Sequence, residues 1–368
     1  MVSLQSPSST MRAAYIAKYN EPYVLGERPI PELKPDEILV RVHAAGFCHS
    51  DLQVLQNKFT KPTPIGLIPS HEIAGVVVNV GKNCNGRLRL GDRVGILNFK
   101  HACGVCAGCR ASQAQGNTRD PRFCEARETA GFYHDGGFAE YVAADPTTTL
   151  KLPESVGLNQ AAPLMCAGAT VWGSLERVTA GLREGDTVAV VGIGGLGHLG
   201  LQFAKAKGLK TVAIDNREAG RQLAAEMHNA ALKPDLIVDS SDTAMASRNI
   251  LEFTRDEGVA AAIVCTSSIE ANRWALTLLR IRGCLGVLGI PPSPWYFDSA
   301  PIAFRELSIM GSYVCGAESA GRMLDVVAKW NIKSQLTILP FERIPDIVRT
   351  YKDSAFQGRI VVRLLDEV

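Results

Sequence analysis

Short apolar runs, broken by glycine and proline, dominate the first part of the chain, from about residue 11 to residue 152. Residues 37–42 and 73–78 are rich in Val and Ile, and polar turns that contain glycine, such as 89–93, interrupt runs of this kind. Short strands with frequent turns are typical of a compact, partly open β-barrel.

The pattern changes at about residue 169, where apolar strands begin to alternate with helical segments. Residues 187–191 are an apolar run, 195–207 have helical spacing, and 211–214 are apolar again. Further strand candidates lie at 236–238, 261–264 and 285–288. This alternation predicts a parallel sheet with helices on both faces.

Together the two patterns predict an α/β chain of two domains, and its 368 residues suffice for both. The barrel is expected at 1–168 and the doubly wound sheet at 169–307. Residues 308–368 are expected to return to the first domain, because 359–364 form a final strand that could join the barrel.

Composition excludes several classes of partner. With a net charge of +2 and 21% charged residues, the chain has no strong positive electrostatic field that would attract nucleic acid or an anionic membrane. The polar first ten residues lack the blocks of a signal peptide, and the apolar stretch 187–204 contains five glycines, which favours strand, turn and helix over a membrane span. Ten cysteines in such a chain indicate metal binding or catalysis before disulfides, so we expect a cytoplasmic protein.

A glycine-rich motif follows the apolar strand at 187–191 and opens a helix. Its residues are Gly192, Ile193, Gly194, Gly195, Leu196 and Gly197. Such glycines let the backbone approach a pyrophosphate at a helix N-terminus. Asp215 at the end of the next strand favours NAD, because it would accept from the ribose hydroxyls and repel a 2′-phosphate. Arg217 keeps NADP open as the less favoured alternative.

Four cysteines form a cluster within about 101–126. They are Cys103, Cys106, Cys109 and Cys124, the complement of a closed structural zinc site. A zinc finger that holds nucleic acid or a partner protein is disfavoured by the lack of a basic patch, since Arg110, Arg119 and Arg122 are few and scattered. An iron–sulfur site would need redox chemistry that nothing else in the sequence supports.

A second set of soft ligands comprises Cys48, His71 and Cys166. Two thiols and an imidazole are the number of ligands that a catalytic zinc takes when one position stays open. Neighbouring residues add a hydroxyl and two carboxylates, which suit proton movement and the orientation of a metal-bound histidine. These neighbours are Ser50, Asp51 and Glu72.

In order and nearly in spacing, these motifs resemble those of zinc-dependent medium-chain alcohol dehydrogenases, most like the yeast-type branch of fungi and bacteria. The residues that carry the resemblance, from about residue 11 to the C-terminus, are Cys48-His49-Ser50-Asp51, Ser70-His71-Glu72, the four-cysteine cluster, Cys166-Ala167-Gly168, the glycine-rich motif, Asp215 and Gly358-Arg359. The family fold is a GroES-like barrel plus a Rossmann domain.

The resemblance implies a role for each site residue. Cys48, His71 and Cys166 would bind the catalytic zinc, with Glu72 as an alternative ligand and Asp51 as the hydrogen-bond acceptor for His71. Ser50 would bond to the substrate oxygen. His49 would contact the cofactor pyrophosphate, Thr170 would lie near the nicotinamide, and Arg359 would contact the cofactor phosphates. It also implies two zinc ions per chain, a small alcohol or aldehyde substrate, and a homotetramer.

The sequence departs from the family at four places. Gln53 stands where yeast-type members commonly have the outer histidine of a proton relay, so the proton is expected to leave through water or His49. Phe59 and Asn98 replace two pocket aromatics, which predicts a substrate larger than ethanol. The segment between Cys109 and Cys124 is longer than usual, which leaves closure of that cluster open. Ser70 replaces the usual glycine, with little effect expected unless that backbone needs a positive φ.

Three functions remain open at this point. The favoured one is an NAD-linked zinc alcohol dehydrogenase that interconverts a primary or secondary alcohol with its aldehyde or ketone. An NADPH-preferring aldehyde reductase of a biosynthetic pathway is the alternative within enzymes. A catalytically silent zinc and nucleotide binder is the alternative from another class.

Overall fold

A computed structural model describes residues 9–84, 86–116 and 120–365. The predicted absence of a signal peptide depends largely on residues 1–8, which lie outside the described residues, as does Arg119.

Strands and helices are numbered here in chain order over the described residues. The strands are Thr10–Tyr15 (β1), Val24–Pro29 (β2), Ile38–Phe47 (β3), Glu72–Val80 (β4), Arg93–Ile96 (β5), Phe99–Lys100 (β6), Glu128–Thr129 (β7), Tyr141–Ala144 (β8), Thr149–Lys151 (β9), Thr187–Val191 (β10), Lys210–Asp215 (β11), Leu236–Asp239 (β12), Val259–Val264 (β13), Leu279–Val287 (β14), Ser308–Gly311 (β15), Leu336–Pro340 (β16) and Arg359–Arg363 (β17).

The α-helices are His49–Leu55 (α1), Ala107–Ala114 (α2), Leu158–Pro163 (α3), Ala169–Val178 (α4), Gly197–Ala206 (α5), Glu218–Ala225 (α6), Thr243–Phe253 (α7), Ile269–Leu278 (α8), Ser299–Phe304 (α9), Ala317–Trp330 (α10) and Ile347–Tyr351 (α11). Short 3₁₀ helices are Pro121–Phe123, Ala230–Leu232 and Phe341–Asp346, and Leu164–Gly168 is a turn of π-helix.

The chain divides into two compact units. The first contains the residues up to Cys166 and those from Thr337 onward, and the second is Ala167–Leu336. The predicted boundary at 307/308 is therefore wrong, because 308–336 belongs to the second unit. There β15 pairs with β14 and α10 packs against α4 and α5, so the return to the first unit begins only at β16.

The main sheet of the first unit has strand order β16-β17-β3-β4-β5-β9, with antiparallel pairing from β17 to β9, and β8 pairs antiparallel with the first residues of β3. β3 and β4 are rich in Val, Ile and Ala, which suit a sheet that is buried along most of its length. β4 and β17 both run antiparallel to β3, so their first residues meet its last ones: Glu72 lies opposite Gly46, and Ile360 lies opposite Phe47. This end of the sheet carries the candidate site.

The second unit is a parallel sheet with strand order β12-β11-β10-β13-β14-β15. The order reverses between β10 and β13, the switch point at which dinucleotides bind in folds of this type. Its central strands β10 and β13 are buried, continuous apolar runs, as a sheet covered on both faces requires. The expected alternation of strands and helices is confirmed here.

None of the described helices combines the length and the apolar composition that crossing a bilayer requires. The longest of the α-helices given above, α10, has 14 residues.

Candidate active site and metal centres

Three separate segments bring the predicted ligand set together. Cys48 follows β3, His71 directly precedes β4, and Cys166 lies in the π-helical turn after α3, which packs against β3 and β4. The Nε2 atom of His71 lies 3.2 Å from Sγ of Cys166. One ligand atom from each of these residues and from Glu72 lies within 4.8 Å of the others. A tetrahedral zinc ion places its ligand atoms about 3.5 Å apart, so the residues fit this metal.

Asp51 is the buried centre of the hydrogen bonds around this set. Its Oδ1 accepts from Nδ1 of His71 and from the backbone N–H of Ser70, both at 3.1 Å, and its Oδ2 accepts from the N–H of Cys48 at 2.8 Å. The carboxylate is 0% exposed, and these donors offset its loss of hydration. The bond from the N–H of Cys48 is half of a capping box, since Cys48 is the residue before α1 and Asp51 lies in the first turn of that helix.

The pKa values of the site residues are shifted because thiols and a carboxylate lie close together. A hydrogen bond from Cys166 and the charge of Arg359 hold the pKa of Cys48 well below its usual value, whereas the Cys48 thiolate and burial raise the pKa of Cys166. Burial would lower the pKa of His71, but the Asp51 carboxylate raises it well above normal. Two thiols and the carboxylates of Asp51 and Glu72 thus concentrate negative charge at the site, which Arg359 offsets in part and a bound divalent cation would offset further.

Glu72 and Arg359 form a buried ion pair that the sequence analysis missed. Nη2 of Arg359 donates to Oε1 of Glu72, and both side chains are almost fully buried. Burial raises the pKa of Glu72 to about 7, against the opposing effect of Arg359. Glu72 lies across Gly46, where any Cβ would come within 2.0 Å of its Oε2. That Oε2 has no partner among the described residues, so it is free to take a ligand.

The remaining predicted residues of the first unit lie around the same end of the sheet. Ser50 is half-buried in the first turn of α1, and the exposed His49 has its Nδ1 3.3 Å from the hydroxyl of Tyr351. Gln53 is half-buried on the same helix. Tyr351 was not anticipated, because α11 is far from α1 in the sequence.

Two aromatic rings, those of Phe59 and Phe132, form a row that ends at the ring of His71. The ring of Phe59 packs edge-to-face on Phe132 at 5.4 Å, and Phe132 lies 4.9 Å from the ring of His71. Asn98 is buried, and its carbonyl accepts from the N–H of Ala130, two residues before Phe132. Phe59 and Asn98 are predicted from the sequence, whereas Phe132 is not, because it carries no motif of its own.

The four-cysteine cluster closes across the lengthened segment. The sulfur atoms of its members lie within 4.8 Å of one another. The 3₁₀ helix Pro121–Phe123 delivers Cys124, with Asp120 capping its N-terminus through the N–H of Arg122. α2 approaches this turn closely because Gly108 has no side chain, and a Cβ there would be 1.8 Å from the carbonyl of Phe123. The donor set fits a closed zinc site.

Glu37, His101 and Glu128 form a third group with metal-like spacing. Lys100 already supplies the cation, because its Nζ lies 2.8 Å from Glu37 and 3.3 Å from Glu128. His101 contacts both carboxylates as well, at 3.3 and 3.1 Å. This group is therefore a charged network beside the cysteine cluster.

The glycine-rich motif and Asp215 meet in the second unit. Gly192 directly follows β10 with φ +90°, and Gly194, Gly195 and Leu196 lead into α5. Asp215 is buried, and its Oδ2 accepts from the N–H of Ile193 at 2.7 Å.

Arg217 folds back onto Asp215. Its backbone N–H and Nε donate to Oδ1, and its Nη2 donates to Oδ2. The guanidinium side chain remains 58% exposed. Thr170 is half-buried near the start of α4 in the same unit.

Comparison with known proteins places this arrangement in a family. A family model described as alcohol dehydrogenase GroES-like domain matches residues 34–154, and one described as zinc-binding dehydrogenase matches residues 195–329. An alcohol dehydrogenase of Geobacillus stearothermophilus is 32% identical over 356 residues, which cover 96% of this chain and 100% of that protein. Alcohol dehydrogenase 1 of Emericella nidulans is also 32% identical, over 361 residues that cover 96% and 98% of the two chains.

A solved structure is similar over the same length. The alcohol dehydrogenase of the archaeon Aeropyrum pernix is 27% identical, with a TM-score of 0.83 and coverage of 96% of this chain and 100% of that one. The chain belongs to the zinc-dependent medium-chain alcohol dehydrogenase family. It is an oxidoreductase that acts on CH–OH groups, so the expected fold, family and enzyme class are confirmed. The yeast-type branch stays a prediction.

Proposed function

We propose that the protein is an NAD-linked alcohol dehydrogenase whose substrate oxygen binds at the Cys48, His71 and Cys166 site. The observation that carries this proposal is the convergence of those three ligands around one point, with Asp51 holding the histidine. When bound there, zinc supplies a Lewis acid that lowers the pKa of the substrate hydroxyl.

The protein residues orient and balance this centre. Asp51 accepts the Nδ1 proton of His71, which leaves Nε2 with its lone pair toward the metal. Arg359 offsets the charge of Glu72 and the two thiolates, and Glu72 is proposed as an alternative ligand. The proposed contact of Arg359 with the cofactor phosphates would use the part of the guanidinium that Glu72 leaves free.

Proton transfer is assigned to the first turn of α1. The Ser50 hydroxyl accepts the proton of the substrate alcohol and passes it on toward the cofactor ribose. Gln53 cannot titrate, so the proton leaves through water or through the exposed His49.

Cofactor choice depends on Asp215 and Arg217. The nicotinamide supplies the hydride acceptor. The Asp215 carboxylate suits the ribose hydroxyls of NAD and would repel a 2′-phosphate. The exposed guanidinium of Arg217 supports the alternative in which NADPH serves an aldehyde reductase. The predicted roles of Thr170 and of the glycine-rich motif toward NAD remain part of this proposal.

The proposed substrate is larger than ethanol and carries an aromatic or branched group. The Phe59–Phe132 row beside His71 supports this, because aromatic faces favour edge-to-face and stacked contacts with a ring. We also propose that Cys103, Cys106, Cys109 and Cys124 bind a second, structural zinc.

Self-association is proposed as well, as a homotetramer in the cytoplasm. β15 ends the six-stranded sheet, and its outer edge pairs with no other strand of the described chain. Exposed aromatic residues precede it at Tyr296, Phe297 and Phe304. A second copy that added its own β15 would cover both features.

One set of measurements tests these proposals. Metal analysis is expected to give two zinc ions per chain, and kcat/KM is expected to be higher for benzyl alcohol than for ethanol and higher with NAD than with NADP. Replacing Arg217 by Ala should lower kcat/KM with NADP more than with NAD. A preference for ethanol would contradict the pocket assignment, and a preference for NADPH with aldehydes would favour the reductase. A protein that binds zinc and NAD without turnover would establish the silent binder.

A further inference from the structure

Ser70 has an unusual backbone conformation directly before a metal-ligand candidate. It is fully buried and has φ +74°, in the left-handed region that favours glycine over a residue with a Cβ. The condition under which Ser70 was expected to matter is therefore met. A serine held in this region needs surroundings that fix it there.

Every polar group of Ser70 has a partner that fixes its orientation. Its N–H donates to Oδ1 of Asp51 at 3.1 Å, its Oγ donates to the carbonyl of Gly46 at 2.8 Å, and its carbonyl accepts from the N–H of Gly137 at 2.8 Å. Gly136 closes over the same carbonyl, since a Cβ there would lie 2.0 Å from it. The peptide group that follows Ser70 therefore has no room to turn.

The twist at Ser70 directs two consecutive donors to one oxygen atom. Oδ1 of Asp51 accepts both the backbone N–H of Ser70 and Nδ1 of His71. The hydroxyl ties the same turn to Gly46, the residue opposite Glu72 in the β3–β4 pair. A glycine would allow this φ and keep the two backbone bonds, but it would lack the hydroxyl that bonds to Gly46.

We propose that Ser70 is a positioning residue, whose hydroxyl fixes the left-handed turn so that His71 and Asp51 are pre-set for the metal. The consequence is slow release of zinc from the Cys48, His71 and Cys166 site. This inference rests on the metal assignment proposed above. It needs no change in the reaction and concerns only how firmly the ligand is held.

The test compares full-length Ser70→Ala and Ser70→Gly with the parent, each loaded with zinc. Release to a colorimetric chelator is followed over time, and the phase from the buried site is identified by its loss in Cys48→Ser. We expect release about tenfold faster for Ser70→Ala, which keeps the Cβ but loses the hydroxyl, with Ser70→Gly between the two. If Ser70→Ala does not fold, Ser70→Gly alone must still exceed the parent rate.

A matched control separates positioning from general stability. Thr179 in the second unit also buries a hydroxyl that donates to a backbone carbonyl, at 2.7 Å, so Thr179→Val should lower Tm without altering zinc release. In the cobalt-substituted protein, Ser70→Ala should shift the visible absorption bands, whereas Thr179→Val should not.

Equal release rates in all Ser70 variants, or a slower rate for Ser70→Gly than for the parent, would overturn the role of Ser70. A lower Tm with unchanged release would leave only a structural role and would also overturn it. A parent that holds no zinc at this site would instead remove the metal assignment, and this inference with it.

Discussion

The two cysteine-containing clusters of the first unit are built in opposite ways. The four-cysteine cluster uses ligands that are close in sequence and partly exposed, delivered by α2 and one 3₁₀ turn. The proposed catalytic cluster joins residues more than a hundred positions apart, and its candidate ligands depend on the hydrogen bonds of Asp51 and the charge of Arg359. Local spacing thus suffices to assemble a closed site, whereas the open site depends on the packed sheet around it.

Removing a catalytic ligand should have the largest effect on activity. Cys48→Ser is expected to lower kcat by at least about 1,000-fold, because the substrate oxygen loses the cation that stabilises its charge. Metal analysis should find one zinc per chain instead of two. Cys84→Ser is the control, since Cys84 donates to the carbonyl of Glu37 outside both clusters and should keep both ions. Full activity in Cys48→Ser would contradict the assignment.

Opening the four-cysteine cluster should affect stability instead of chemistry. Cys124→Ser is expected to remove one zinc and about 3 kcal/mol of stability, which corresponds to a fall in Tm of roughly 6–12 °C. kcat at 25 °C should change little. If Cys124→Ser kept two zinc ions and the parent Tm, the longer segment would not be closed by this residue.

Weakening the centre of the catalytic cluster should have an intermediate effect. Asp51→Asn is expected to reduce zinc affinity roughly 10- to 100-fold, since an amide is uncharged and has one acceptor oxygen where the carboxylate uses two to hold His71 and Cys48. Competition with a chelator measures this change. Asp120→Asn, which alters the cap before Cys124, serves as the comparison and should leave the buried site unchanged.

The half-buried His134 should make the stability of the protein decrease in acid. Burial and the nearby charge of Lys100 lower the pKa of its side chain from 6.5 to about 3. Below about pH 6.5, His134 is therefore protonated in the unfolded chain but stays neutral in the folded chain. The free energy of unfolding consequently decreases as the pH falls from 6.5 toward 3. Between pH 7 and pH 5 this loss amounts to about 2 kcal/mol.

Urea unfolding at both pH values measures this contribution. His134→Gln should show a smaller loss of stability than the parent over the same range, because glutamine does not titrate. The same pH slope in both proteins would assign the acid sensitivity to other groups.

Strands were predicted correctly where the periodicity was strong, whereas the sheet that a strand joins was not predicted where its partners are distant in sequence. The alternation after residue 169 predicted the strands β10 to β14, and the final apolar run predicted β17 on the barrel. The placement of 308–336 was wrong, because nothing in the apolar run of β15 says which of two sheets it will join. Strand pairing is decided by the neighbours available in space.

The sequence alone determined the residue types of the candidate ligands, their order, and the glycine-rich turn between strand and helix, because thiols, imidazoles and glycines have few alternative uses in such spacing. Only the tertiary structure decided which groups support them. It placed Arg359 on Glu72, Phe132 on His71, and Ser70 in a left-handed turn held by Asp51 and Gly46. These partners lie on different strands and loops, so their contacts follow from the register of β3, β4 and β17 and from the loop that carries Phe132, which no local pattern encodes.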